Sequence, residues 1–410
     1  MSSPRIVIIG AGAAGIAAGN YLQRAGIRPI VLEARNRVGG HAWTDVSLGV
    51  PVDMGCAWLH SATDNPWTAY AEQNGFEIMK MPPDWGARIG RDEATPQQRA
   101  AWEEVFGRNL RLIAEAAANG QDVAVADVIP DDEARVRFDA VMGWWMGANS
   151  ARVSTLDFSR YHESPHNWSV RAGLGNVVAH AAGALDVRLN VPVRALDMTG
   201  PHVLVTSDAG TIEADAVIVT VPTSVMAAET ISVRPTLPDG LLDAFAGLPL
   251  GANNKVFFEV ESGAMPFAGT THFLGSATTV RTATYGVRPA GQDALLAYFG
   301  GDFARELEEK GELEAFARAE LAQLFGADFS RHLRRAVSTG WSCDPWSLGS
   351  YSIASPGKAH LRAQLSEPVQ HRVFFTGEAA SIEHFGTIHG AWHAAVSAAQ
   401  RLLDTLNAAA

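Results

Sequence analysis

The first 33 residues constrain this fold more than any other stretch of the chain. An apolar run, Arg5-Ile6-Val7-Ile8-Ile9, leads into Gly10-Ala11-Gly12-Ala13-Ala14-Gly15, then a helical stretch ending near Gly26, then Pro29-Ile30-Val31-Leu32 closed by Glu33. This spacing predicts a strand, a phosphate turn, a helix and a second strand, the front half of a dinucleotide site. Gly10 permits the tight turn, Gly12 lets the backbone approach a pyrophosphate, and Gly15 lets helix and strand pack closely. The helix start, at Ala13 and Ala14, offers unpaired N–H groups to an anion. Glu33 supplies the acceptor for a ribose diol, which disfavours NADP and leaves NAD and FAD open.

The chain has 410 residues, 47% of them hydrophobic and 19% charged, so it can bury a substantial core and is too long for one ordinary domain. A net charge of −12 argues against nucleic acid or an anionic membrane surface as partner. It would suit a cationic substrate, although many soluble proteins carry such a surface for solubility alone. Cys56 and Cys343 stand far apart without CxxC spacing, which indicates neither a disulfide framework nor a zinc site and fits a reducing cytoplasm. The first strand begins near residue 5, leaving no room for a secretory signal. The last segment, Gly390 to Ala410, carries Gln400, Arg401, Asp404 and Asn407 and lacks the ~20 apolar residues of a membrane span. A cytoplasmic protein without a membrane partner is expected, and its oligomeric state stays open.

Helical periodicity runs from Pro96 to Gly120 through Trp102, Val105, Phe106, Leu110, Ile113 and Ala117, and continues from Asp131 to Gly147, where Trp144 and Trp145 read as core. Strand-like runs at Val187-Arg188-Leu189, Val203-Leu204-Val205 and Ala216-Val217-Ile218-Val219 are expected to resume the nucleotide domain. A strand from Lys255 to Val260 and one amphipathic helix from Glu306 to Phe325 belong to a second domain. Arg372-Val373-Phe374-Phe375-Thr376 opens a last strand, turn and helix that returns to the first sheet. The expected architecture is α/β. A discontinuous Rossmann-like domain takes residues 1–75, 171–224 and 339–410, and a mixed α+β substrate domain is inserted as a helical part, 76–170, and a sheet-and-helix part, 225–338.

Beyond the first motif, Glu33-Ala34-Arg35-Asn36-Arg37-Val38-Gly39-Gly40 resembles the second dinucleotide signature of the flavin amine oxidase family, which includes monoamine oxidases, polyamine oxidases and flavin-dependent histone lysine demethylases. Phe375-Thr376-Gly377-Glu378 and Gly386-Thr387-Ile388-His389-Gly390-Ala391 resemble its C-terminal flavin signature, and Asp53-Met54-Gly55-Cys56-Ala57-Trp58-Leu59-His60 its flavin-facing loop. Weaker similarity at Thr220-Val221-Pro222, Lys255-Val256 and Trp341-Ser342-Cys343-Asp344-Pro345 extends the match over most of the chain. The resemblance implies a glutathione-reductase-type FAD-binding domain, a small-molecule amine as substrate and molecular oxygen as acceptor. It also implies that Glu33, Ala34 and Arg35 meet the adenosine end, with Arg37 adding positive charge, and that Gly39 and Gly40 let the chain pass tightly over the cofactor. The backbone of Val193 would meet the adenine, and Gly377 and Glu378 the ribitol and phosphate region. Thr387, the N–H of Ile388 and Ala391 would meet the flavin edge, and Gly55, Ala57 and Trp58 would face it. On the residues alone, Glu378 reads equally as a capping carboxylate, and Arg35 and Arg37 as a solvated turn. Where the family carries arginine after the paired glycines, this chain has His41, a weaker and titratable phosphate partner. Gly349-Ser350-Tyr351 stands where covalent monoamine oxidases have cysteine before tyrosine, so the FAD should be noncovalent.

Such an oxidase removes a hydride equivalent from the carbon beside an amine nitrogen, giving an imine that water hydrolyses. Lys255 aligns with the family lysine that holds a water against flavin N5, and burial would depress its pKa; a surface lysine at a strand end is the alternative. His60 could orient the amine or be structural. Trp341 and Tyr351 are candidate aromatic walls, while Thr387 stands where the family often has a second aromatic. His384 and His389 lack a spaced third ligand, so no metal site is expected, and without a GxSxG elbow a hydrolase is unsupported. The other readings are an FAD-dependent desaturase or dehydrogenase of a secondary metabolite, and a flavin-binding scaffold without turnover; an NAD dehydrogenase is disfavoured by the C-terminal signature.

Overall fold

A computed structural model describes residues 4–408 apart from residue 82, so the outermost ends of the first and last expected segments, 1–3 and 409–410, lie outside the described residues. At its centre the strand Ile6–Ile9 is buried along its whole length. It lies in a five-stranded sheet ordered Val373–Phe375, Ala216–Val219, Ile6–Ile9, Ile30–Leu32 and Asp186–Arg188, every pairing parallel. A parallel sheet covered on both faces explains why these runs are continuously apolar rather than alternating. The helices Ala13–Arg24 and Ile388–Ala408 cover one face, packing on Ile6 and Ile8. The other face, carrying Val7 and Ile9, packs against a four-stranded sheet and the helix Asp239–Gly247.

That second sheet runs Gly210–Ala214, Val203–Ser207, Val193–Asp197, Ser232–Arg234. The run at Val203 therefore belongs not to the parallel sheet but to a mixed layer beneath it, in which it pairs antiparallel on both sides. Ser232–Arg234 pairs with Val193–Asp197 although it follows the expected join at 224. The proline that ends the preceding strand, Pro222, stops a strand without ending the packed unit.

A seven-stranded sheet holds Leu333–Ser338, Asn253–Val260, Ala294–Gly300, Thr284–Val287, Thr271–Leu274, Arg88–Ile89 and Asp92–Glu93, in that order. The stretch read as one helix from Glu306 to Phe325 is two, Gly301–Lys310 and Leu313–Phe325, because Gly311 takes φ +68° and closes the first with a left-handed turn. The helical block is as periodicity predicts. Pro96–Ala118 starts on a capping box between Thr95 and Gln98, and Glu133–Met146 starts on Asp132, whose carboxylate accepts from the Ala134 N–H. Among the described residues, no helix is long and apolar enough to cross a membrane.

One buried ion pair joins the helical block to the C-terminal segment. Arg362 and Asp157 have side chains 1% and 0% exposed. Nε and Nη2 of Arg362 donate to Asp157 at 2.6 and 2.8 Å; Nη1 donates to Ser352 Oγ at 2.8 Å and to the Ala379 carbonyl at 3.1 Å. Removing one partner would strand the other charge in a dry interior. Asp157→Asn is expected to lower stability by about 3–5 kcal/mol, read as a lower urea midpoint with an unchanged slope. A midpoint equal to that of the parent would refute this reading of the pair.

Candidate active site

Two cavities, of about 190 and 700 Å³, meet inside the molecule and share His41, Cys56, Tyr351, Gly386, Thr387 and Ile388 as walls. The smaller opens at the carboxyl ends of the parallel strands, where Ile9, Leu32, Val219 and Phe375 line it. Crevices of this kind are where doubly wound sheets take ligands.

Gly10, Gly12, Ala13 and Ala14 line the smaller cavity. Gly15 does not: a Cβ there would stand 1.9 Å from the Gly10 carbonyl, so its part is to let the helix close on the turn. The first intrahelical bond runs from Ile16 N to Gly12 O, leaving the N–H groups of Ala13, Ala14 and Gly15 outside the ladder. Glu33 accepts from the N–H groups of Ala11 and Arg35, both at 2.8 Å, one on each oxygen. Each oxygen keeps a lone pair. Ala34, Arg35, Gly39, Gly40 and Val193 complete this side. Of the two arginines, Arg35 lines this cavity and Arg37 does not. Arg35 donates to Asp344 at 2.8 Å and Ser347 at 2.7 Å, so its charge is already paired, and Arg37 turns to the Gly40 carbonyl at 2.8 Å and stacks on Trp43.

Gly377, Glu378 and Ala391 close the opposite side. Glu378 is largely occupied within the protein: its carboxylate accepts from Ser352 N at 2.9 Å, Ser352 Oγ at 2.8 Å and Gly386 N at 2.6 Å. Thr387 Oγ1 donates to the His384 carbonyl and accepts from Gly390 N, capping the terminal helix. That helix makes its first internal bond from Ala391 N to Thr387 O, so the N–H of Ile388 lies outside the ladder at the junction of the cavities. Thr376 Oγ1, also on the smaller cavity, is buried without a hydrogen-bond partner among the described residues.

His41 corrects the expectation of a titratable phosphate partner. Burial, then the charges of Lys255, Arg35 and Arg37, push its pKa down to about 3, so the ring is neutral near pH 7. It packs 4.2 Å from the buried Trp341, whose Nε1 donates to the Met54 carbonyl at 3.4 Å.

Lys255 lies on the strand Asn253–Val260, 7% exposed, with Nζ donating to the carbonyls of Asp53 at 2.7 Å and Gly55 at 2.6 Å. Burial pushes its pKa down to about 8, outweighing the attraction of Asp53 and Cys56. Gly55, Ala57, Trp58 and Trp341 share the larger cavity with it. The Cys56 thiol is pushed up to about 12 by burial and stays protonated. Tyr351 and Tyr298 face each other across 3.2 Å, their hydroxyls bonded to the carbonyls of Trp144 and Trp145. Farther out, His60 Nδ1 donates to Glu163 at 2.8 Å and Asn167 at 2.9 Å, which in the neutral ring makes Nε2 an acceptor. Burial acts to raise the Glu163 pKa, but hydrogen bonds from His60 and Asn167 hold it below the usual range.

Trp144 and Trp145, read from the sequence as core, line the larger cavity, as does Tyr298, which sequence reasoning missed. Helical period reports burial and does not distinguish a packed core from a cavity wall. For Tyr298, alternation along Ala294–Gly300 was the available signal. The rings of His384 and His389 are 4.7 Å apart, yet no group of three or more metal-binding side chains comes together among the described residues.

Residues 13–123 and 111–403 match the model of the flavin-containing amine oxidoreductase family. The chain is 29% identical to polyamine oxidase 4 of Oryza sativa subsp. japonica, over 97% of this chain and 88% of that one. It is 30% identical to a probable polyamine oxidase 4 of Arabidopsis thaliana, over 97% and 86%. Among solved structures, cyclohexylamine oxidase from Brevibacterium oxydans superposes with a TM-score of 0.82 at 21% identity, covering 99% of this chain and all of that one. Putrescine oxidase bound to putrescine gives 0.80 at 21%, covering 98% and 99%. The helix-and-glycine crevice, the aromatic cavity beside it and these matches along nearly the whole chain agree: this protein belongs to the flavin-containing amine oxidoreductases.

Proposed function

We propose that this chain oxidises an amine at the carbon adjacent to nitrogen, with noncovalent FAD as hydride acceptor and molecular oxygen as final acceptor. The observation that carries the reading is a buried lysine where a dinucleotide-shaped crevice opens into an aromatic cavity. The residues fit FAD. The free N–H groups of Ala13 and Ala14 suit a diphosphate, the spare lone pairs of Glu33 a ribose diol, and the orphaned Thr376 hydroxyl a polar cofactor atom. The Ile388 N–H would meet the electron-rich edge of the flavin, where a helix start favours negative charge. When bound, FAD supplies the two-electron acceptor for the amine's hydride equivalent.

The protein's own part is to bind a neutral amine and exclude water. The names of the relatives, polyamine oxidases, and of the fold neighbours, oxidases of cyclohexylamine and putrescine, support an amine as substrate. Tyr298 and Tyr351 offer ring faces to it. His60 Nε2 would accept an amine N–H, its ring held in place by Glu163 and Asn167. An apolar surround favours the uncharged amine, whose lone pair assists hydride departure. Lys255 Nζ has three donors; two hold carbonyls, and the third is free for a water or for oxygen as it acquires negative charge.

An anaerobic amine panel added to the FAD-loaded protein should bleach the flavin absorbance, with hydrogen peroxide released on admission of air. Failure of every amine to bleach it would exclude the reading. Lys255 is positively charged below a pKa of about 8 and loses that charge above it, so flavin reoxidation should slow as pH rises through about 8. Lys255→Met should retain FAD, reoxidise about 10²-fold more slowly and show no inflection. Stopped-flow traces identical to those of the parent would remove Lys255 from the chemistry.

A further inference from the structure

The larger cavity contains a cation that amine binding does not explain. Arg137, Val141 and Trp144 follow one another at i, i+4 and i+7 along the helix Glu133–Met146, and all three line the cavity. Trp102 and Phe106, one turn apart on Pro96–Ala118, line the facing wall. The Arg137 guanidinium lies 4.1 Å over the Trp102 ring. Its Nε is buried without a hydrogen-bond partner, and no carboxylate pairs with it among the described residues. Of the carboxylates that line the cavity, Asp53 accepts from Thr44 and from the N–H groups of Leu174 and Gly175, Glu163 holds His60, and Asp84 is exposed and makes no ion pair with Arg137.

Position along the helix turns this cation into a ruler. The carbonyls of Trp144 and Trp145 are tied to Tyr298 and Tyr351 at the junction of the cavities. Arg137 lies seven residues earlier, about 10 Å along the axis at 1.5 Å per residue. We propose that Arg137 is a substrate-binding residue, and that the amine oxidised here carries an anionic group, carboxylate or phosphate, on the far end of an apolar chain or ring. This rests on the amine-oxidase reading and narrows it. A diamine would bring its second ammonium against an uncompensated, half-buried guanidinium, a contact between like charges. An α-amino acid fails as well, because its carboxylate sits on the reacting carbon and so at the junction rather than two turns away. A distal carboxylate or phosphate would give Nε the partner it lacks, in the paired geometry that guanidinium favours.

The test compares anaerobic flavin reduction by hexylamine, 6-aminohexanoate, 5-aminopentyl phosphate and 1,6-diaminohexane in the FAD-loaded protein. At least one anionic amine should exceed hexylamine in the second-order rate constant of flavin reduction by about tenfold or more, the worth of one charge-assisted hydrogen bond, with the diamine poorest. Whichever anionic amine is faster identifies the anion. Arg137→Met should abolish the preference through the substrate Kd with the limiting reduction rate kept, and Arg137→Lys, which keeps the charge, should retain part of it. Bleaching by hexylamine or the diamine without any anionic preference, or an equal preference in the parent and Arg137→Met, overturns this inference and leaves amine oxidation standing. Bleaching by none of the four overturns both.

Discussion

The site depends on a charge pair placed where charge is least welcome. Arg362 and Asp157 are taken out of water together, which costs several kcal/mol per ion unless every donor and acceptor is met. Here they are. The guanidinium's five N–H groups make five bonds, two to Asp157, two to Ser352 and one to the Ala379 carbonyl, while Asp157 also accepts from Ala354 N. Ser352 then passes the constraint on, donating from both N and Oγ to Glu378, which in turn holds Gly386 N. A residue of the helical block thus fixes the loop before the terminal helix, and with it the junction of the two cavities. Glu378 acts in this scheme as an organiser of backbone more than as a free ligand.

The same dryness sorts the titratable groups at the junction. Burial drives His41 down to about 3 and the Cys56 thiol and Tyr298 hydroxyl up to about 12, with Tyr351 displaced in the same direction. All four are neutral across the working range. Lys255 starts higher than histidine, so an equivalent penalty brings it to about 8 rather than out of range. One low-polarity environment therefore silences four groups and tunes the fifth, and the carbonyls of Asp53 and Gly55 keep its charged form affordable.

What the sequence makes legible here is what backbone geometry demands. Gly10, Gly12, Gly15 and Glu33 can be read because a tight turn, a close chain crossing and an acceptor for main-chain N–H groups at a strand end each favour one kind of residue at one spacing. Lys255 can be read because a lone cation in an apolar strand needs an explanation. Side-chain walls behave otherwise. Trp144 and Trp145 have the periodicity of a core helix, and nothing local distinguishes packing against protein from packing against a ligand. The break at Gly311 hid in a stretch whose apolar positions kept a helical rhythm on both sides. The run Val203–Ser207 looked like a sheet strand and is one, but which of two stacked sheets it joins is set by pairing with Val193–Asp197, a long-range fact.

The two cavities divide the labour by the material that builds them. The smaller has backbone on one side, where glycines, helix starts and main-chain N–H groups line it, with Glu33, Thr376, Glu378 and the apolar strand ends completing the wall. The larger is made of side chains on the helices Pro96–Ala118 and Glu133–Met146 and on the seven-stranded sheet, and these can change one at a time. Because the last turn of Glu133–Met146 is pinned through Trp144 and Trp145 to the tyrosine pair, each position on its cavity face lies at a set height above the reacting end. Positions 137 and 141 line the larger cavity away from the junction, so an exchange there changes its wall without touching the groups that surround Lys255. The wall of the larger cavity and the groups at the junction are thereby separated along one helix axis, so either can vary while the other stays in place.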